Sequence, residues 1–134
     1  MTVPAPLEVS AETLSAAAGQ RACRELLAVG VPFTALLTGS DILAAGCCAE
    51  LAVAGRPCPA AVSVTGTGDT PLAGWLPVPL TTVTLPWHAT GAAAARLLID
   101  RISDPDTPAQ AIHLTSRLIE RDSTSDAAPV SGPW

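Results

Sequence analysis

At 134 residues, the chain has room for one domain with a real core and too little for two ordinary ones. A net charge of -5 without any cluster of Lys or Arg argues against direct nucleic-acid contact by this polypeptide, because neutralising phosphates needs a basic footprint. Hydrophobic residues make up 49% and charged ones only 14%; much of the apolar share is alanine, which favours helices but buries little area, and no apolar run approaches the roughly 20 residues of a membrane span.

Residues 1–9 are Pro-rich and read as a loose segment. They lack the basic start and apolar run of a signal peptide, so the expected compartment is the cytoplasm. Ser10 is the expected N-cap of a first helix, with Glu12 in its first turn. Leu14, Ala17, Ala18, Ala22, Leu26 and Val29 then recur at helical spacing until Gly30. Pro32 leads into a buried strand, Phe33–Leu37. Thr38-Gly39 turns, Ser40 caps a second helix from Asp41 to Ala54, and Gly55 ends it. After Arg56–Pro59 comes a strand, Ala61–Thr65, then an irregular loop, Gly66–Pro79, and a strand, Leu80–Thr84. Trp87–Ile102 reads as a third helix, 104–108 as a turn and Ala111–Glu120 as a last strand. The order predicts an α/β domain over residues 10–121 with a mainly parallel sheet, followed by a polar tail, 122–134, expected to be disordered.

Four cysteines, Cys23, Cys47, Cys48 and Cys58, fit neither a CxxC redox motif nor a zinc site and read as free, buried thiols. Neither a metal nor a cofactor is expected. His88 and His113 have no acid or nucleophile at a motif spacing. Gly66-Thr67-Gly68 is followed by a Pro-rich loop instead of the helix that a dinucleotide fingerprint requires. With no GxSxG, HExxH or P-loop, no catalytic residue is assigned and the chain reads as a non-enzyme.

Val62–Leu72 followed by Pro79–Val83 resembles the "SVVGFDD…PPLTTV" signature of the LacI/GalR family of sugar-responsive transcription regulators. Further words follow the same family in order. Ala18–Gly30 resembles "SGxxAxxxLLxxG", Thr34–Gly46 resembles "TAIFxxNDxxAxG", and Gly91–Leu98 with Leu118–Thr124 resembles "GxxAAxLLxxxI…LVxRxST". The resemblance runs from about Ser10 to Thr124 and implies the C-terminal subdomain of a periplasmic-binding-protein-like (type I) α/β sandwich. It implies no helix-turn-helix and no N-terminal subdomain in this chain. The helix Trp87–Ile102 would cross to that missing subdomain, so its apolar face must find another partner, move or stay exposed, and exposure invites self-association.

By resemblance, a sugar-like effector would be held by groups falling on Leu14, Ser40, Asp69 and Trp87. The family's asparagine becomes Ser40, its main carboxylate becomes Gly68, its second acid is Asp69, and the aromatic of the crossover is kept as Trp87. Plainer roles stand beside these. Ser40 suits a helix N-cap, Asp69 a turn bonding nearby N–H groups, Trp87 packing at a helix start, and Asp41 a first-turn acid. The family's dimer contacts fall on Leu43, Cys47, Glu50 and Leu51, and on Leu72, Trp75, Leu76 and Pro77. Trp75 is the natural anchor, either at such an interface or folded inward over the sheet edge. The expected function is effector sensing and dimerisation within such a regulator, as a homodimer or paired with a full-length relative. The alternatives are a stand-alone module pairing with relatives and a piece of a periplasmic sugar-binding protein.

Overall fold

The computed structural model describes residues 7–126. The first helix, α1, spans Ala16–Ala28 and is capped by Ser15, whose hydroxyl accepts the Ala18 N–H at 3.2 Å. It therefore starts later than the Ser10 cap predicts, and Leu14 lies ahead of the helix, not in its first turn. β1 (Ala35–Leu37) is followed by α2 (Asp41–Val53), capped as expected by Ser40, which accepts the Leu43 N–H at 3.3 Å. β2 runs Ser63–Gly68, longer at its end than the sequence suggests. The expected loop after it contains a short helix, α3 (Pro71–Trp75), with Pro71 at a position where its missing N–H costs nothing. β3 (Thr81–Thr84), α4 (Trp87–Ser103) and β4 (Leu118–Ile119) complete the order.

The four strands form one sheet in the order β1-β2-β3-β4, with β1, β2 and β3 parallel and β4 antiparallel. This is the mainly parallel α/β layout that the sequence predicts. Of the strand expected over Ala111–Glu120, only Leu118–Ile119 pairs, because β3 offers backbone partners to that stretch alone. Burial alternates along β2: Val64, Gly66 and Gly68 are buried while Ser63, Thr65 and Thr67 are half-buried. Onto the inner face packs α2, with α1 packed against α2, and Cys23, Ala44, Cys47, Leu51, Val62, Val64, Ala73 and Leu80 form the core cluster.

Two glycines set how closely α1 and α2 approach. A Cβ on Gly19 would collide with the Leu43 carbonyl, and one on Gly46 with the Ala16 carbonyl. The backbones thus touch where a side chain would separate them, as small residues allow. Across the same interface the Arg24 guanidinium grips the Glu50 carboxylate with two hydrogen bonds, at 2.9 and 2.7 Å. Arg24 is largely exposed, so this pair adds little to stability.

Residues 122–126, expected within a disordered tail, are instead docked on the sheet. Ser123 is fully buried; its hydroxyl donates to the Val64 carbonyl (2.6 Å) and accepts the Thr81 N–H (2.7 Å). Its carbonyl accepts the Val64 N–H at 2.8 Å. One serine thus does the work of a backbone rung where β2 and β3 begin. Residues 127–134 of the expected tail, and 1–6 of the loose segment, lie outside the described residues.

In α4, by contrast, no side chain is buried, and Leu98, Ile99 and Ile102 are all mostly exposed. Ile112 and Leu114 in the return segment are exposed too. The apolar face that the family resemblance sends to another subdomain therefore stands open in this chain. The excursion is rooted where the Thr84 N–H bonds the Arg117 carbonyl (2.8 Å) and the Arg117 N–H bonds the Thr84 hydroxyl (2.9 Å).

Candidate functional site

In an open parallel sheet the loops leaving the carboxyl ends of the strands form the natural binding edge. Ser40 follows β1, Asp69 immediately follows β2, and Trp87 closely follows β3. Because β1, β2 and β3 are adjacent and parallel, all three residues fall on one edge. The start of α1 is at the same edge, since Gly19 touches Leu43 in the first turns of α2. That brings Leu14, 72% exposed, to this side as well. Trp87 is 64% exposed at the start of α4 and is not packed into a core. The Ser40 hydroxyl already accepts the Leu43 N–H.

Asp41, read from sequence as a first-turn acid, is the hub of this edge. It is 1% exposed. One carboxylate oxygen accepts the Thr70 N–H (2.6 Å) and the Thr70 hydroxyl (2.8 Å); the other accepts the Thr82 hydroxyl (2.6 Å). The Thr82 hydroxyl in turn accepts the Asp69 N–H at 3.4 Å. One buried carboxylate therefore ties α2, the β2–α3 loop and β3 together. Gly66 explains how it fits: a Cβ there would strike the Asp41 carboxylate and Leu80. Gly68 adopts φ +128, a conformation that favours glycine. Glycines inside a strand pattern signal a close approach of this kind, and this was the available clue to Asp41.

Asp69 does not bond local N–H groups as a turn residue would. It sits at φ +50 and its carboxylate pairs with Arg121 at 2.7 Å. Arg121 also donates to the Leu80 carbonyl at 2.9 Å. Both partners of the pair are about one quarter exposed, so the carboxylate remains within reach of solvent. Arg121 was missed as a site residue because its partner lies far away in sequence.

The residues expected at a dimer contact divide sharply. Leu43, Cys47 and Leu51 are buried within the chain, and Cys47 and Leu51 belong to the core cluster. The Cys47 thiol donates to the Gly19 carbonyl at 3.4 Å, and Glu50 is held by Arg24. Around α3 the picture differs. Trp75 is 82% exposed and does not fold inward; Leu72 is half-buried, and Leu76 packs against the core cluster.

Among the described residues no group of three metal-ligating side chains is brought together, and no helix is long and apolar enough to cross a membrane. This parallel α/β sheet with its polar carboxyl edge is the architecture of a binding domain. Residues 2–124 match the periplasmic binding protein-like domain, and the chain belongs to that family. It is 36% identical over 109 residues to the HTH-type transcriptional regulator MalR of Streptomyces coelicolor, a match covering 81% of this chain and 31% of the regulator. Among solved structures it resembles a complex of the transcriptional regulator CelR with cellobiose, with TM-score 0.77, 32% identity and coverage of 81% of this chain and 33% of that one. It also resembles the lac repressor dimer bound to operator and the anti-inducer ONPF, with TM-score 0.74, 26% identity and coverage of 82% and 38%. The chain spans about a third of the length of the regulators it matches. These relatives are named as regulators of transcription, not as enzymes.

Proposed function

We propose that this chain is the effector-sensing and dimerisation part of a LacI-type transcription regulator, acting in the cytoplasm without catalysis. The observation that carries the reading is the convergence of Ser40, Asp69 and Trp87 on the carboxyl edge of three adjacent parallel strands. A polyol fits such an edge: hydroxyl and carboxylate groups exchange hydrogen bonds with it, and an exposed indole stacks on a sugar face. The cellobiose held by one structural relative supports a saccharide effector. The lac repressor's bound operator and dimeric state support regulation of DNA binding through paired chains. The acidic composition, with no basic cluster, speaks against direct DNA contact by these residues.

A titration of isotopically labelled chain with cellobiose and ribose, followed by nuclear magnetic resonance, tests the effector reading. Saturable shifts are expected at Ser40, Asp69 and Trp87. The absence of any shift at saturating sugar, or shifts confined to the opposite sheet edge, would overturn it. Pairing is tested separately by native mass spectrometry. A dimer is expected that Trp75→Ala weakens at least tenfold, since an exposed tryptophan makes an interface anchor and contributes little to the fold. A strictly monomeric chain, or a dimer indifferent to the substitution, would remove Trp75 from that role.

A further inference from the structure

The two sides of α4 differ. At about 100° per residue, Gly91, Ala95, Leu98 and Ile102 fall within about 60° of one another and form one stripe. All four are exposed. Ala93 and Leu97, the only half-buried residues of α4, lie on the other side. There the return segment covers the helix: the Arg101 guanidinium donates to the Thr107 carbonyl, and Leu97 lines a shallow groove with Pro108 and Gln110. The stripe has no such cover among the described residues. Its spacing of four, three and four residues is that of a coiled-coil seam. Its residues are small toward the start of the helix and large toward its end.

We propose that this stripe is an interface on which a second copy of the chain lays its own α4, antiparallel, about a two-fold axis between Ala95 and Leu98. Ala95 then faces Leu98 of the second copy and Gly91 faces its Ile102, so every layer sets one large side chain on one small residue. Ile99, beside the stripe, likewise falls opposite Ala92 of the second copy. A parallel pair would do the reverse, crowding Ile102 on Ile102 and leaving a gap between glycines. A partner of unrelated sequence requires no match between the two halves of one helix. A two-fold pairing does, because the same surface serves on both sides. The charges agree. Arg96 and Asp100 lie about 100° or more round the helix from the stripe, and Arg101, at its margin, falls opposite Ala94, so no like charges meet. The seam from Gly91 to Ile102 is about 17 Å long, short for a standard interface, so the pairing is weak. It is separate from the contact proposed for Trp75, and at high protein concentration it joins dimers made there into tetramers.

Sedimentation equilibrium of the full chain over a range of concentrations, in the Trp75→Ala background, reads α4 pairing by itself as monomer and dimer. Ala95→Leu and Leu98→Ala are each expected to weaken it at least tenfold, the first by crowding leucine on leucine and the second by opening gaps. The double variant Ala95→Leu/Leu98→Ala exchanges large and small across the same layer and should restore the pairing. Both positions are exposed, so the far-ultraviolet circular dichroism should not change. A chain that stays monomeric at every concentration overturns the proposal. So does pairing that either single variant leaves unchanged, or that Ala95→Leu strengthens as mere added apolar area would. A double variant no tighter than the single ones overturns it as well.

Discussion

Asp41→Ala is expected to lower the stability of this chain by about 3 kcal/mol or more, moving the urea midpoint down by about 1–2 M. The wild-type carboxylate is buried and accepts three hydrogen bonds, from the Thr70 N–H, the Thr70 hydroxyl and the Thr82 hydroxyl. Removing it strands those donors, and each unsatisfied buried group costs about 1–3 kcal/mol, less where water can reach it. Thr70 is itself exposed, so the Thr82 hydroxyl bears the larger share of the loss. Asp41→Asn is not a mild substitute: its amide nitrogen would point a donor at groups that are donors already. Thr82→Val keeps the shape but removes a hydroxyl that donates to Asp41 and accepts the Asp69 N–H, and should cost about 1–3 kcal/mol, less than Asp41→Ala, which also frees Thr70. A urea denaturation series on the three variants checks the order. A midpoint for Asp41→Ala within error of wild type would mean that the carboxylate does not hold the edge together.

Gly46→Ala is expected to be comparably damaging, at about 2–3 kcal/mol, because the added methyl must push α1 away from α2. The obstacle is the Ala16 carbonyl, with the Gln20 backbone nitrogen close behind, and backbone cannot swing aside as a side chain can. Gly91→Ala supplies the contrast on α4. There the new Cβ meets nothing within 4 Å, and helix propensity alone should stabilise by about 0.5–1 kcal/mol. The same chemical change thus carries opposite signs on two helices of one chain. Thermal or urea unfolding of both variants measures it, and equal effects would contradict the close α1–α2 contact.

How much of this was legible in the sequence depends on the range of the interactions concerned. The Ser40 cap and the three parallel strands are written in local patterns, and the sequence located them to within a few residues. The true start of α1 was not. Ser10 and Ser15 are both acceptable caps, and the choice between them falls where α1 meets α2 at Gly19 and Gly46, a contact between residues far apart in the chain. Ala111–Glu120 carries the alternation of a strand, but alternation cannot tell whether a neighbouring backbone is there to pair with it. Two residues of the candidate edge, and one that ties the opposite ends of β2 and β3 together, were hidden for a similar reason. Asp41, Arg121 and Ser123 work through partners on other elements, and nothing within a few residues of each betrays the partner. Leu43 and Cys47 show another limit: a position transferred from a family pattern says nothing of how far the side chain is buried here.

The stem formed by Thr84 and Arg117 gives the chain an unusual modularity. The backbone leaves the sheet after β3 and re-enters it as β4 on the neighbouring track, so everything between is, topologically, a graft on a single point. Such a graft can tilt, lengthen or exchange its cargo while the sheet beneath keeps its register. Whatever grips the arm pulls on two adjoining strands at once, one of which ends beside Trp87 and the other of which leads to Arg121. A handle built this way turns leverage on α4 into tension on the very loops that line the carboxyl edge.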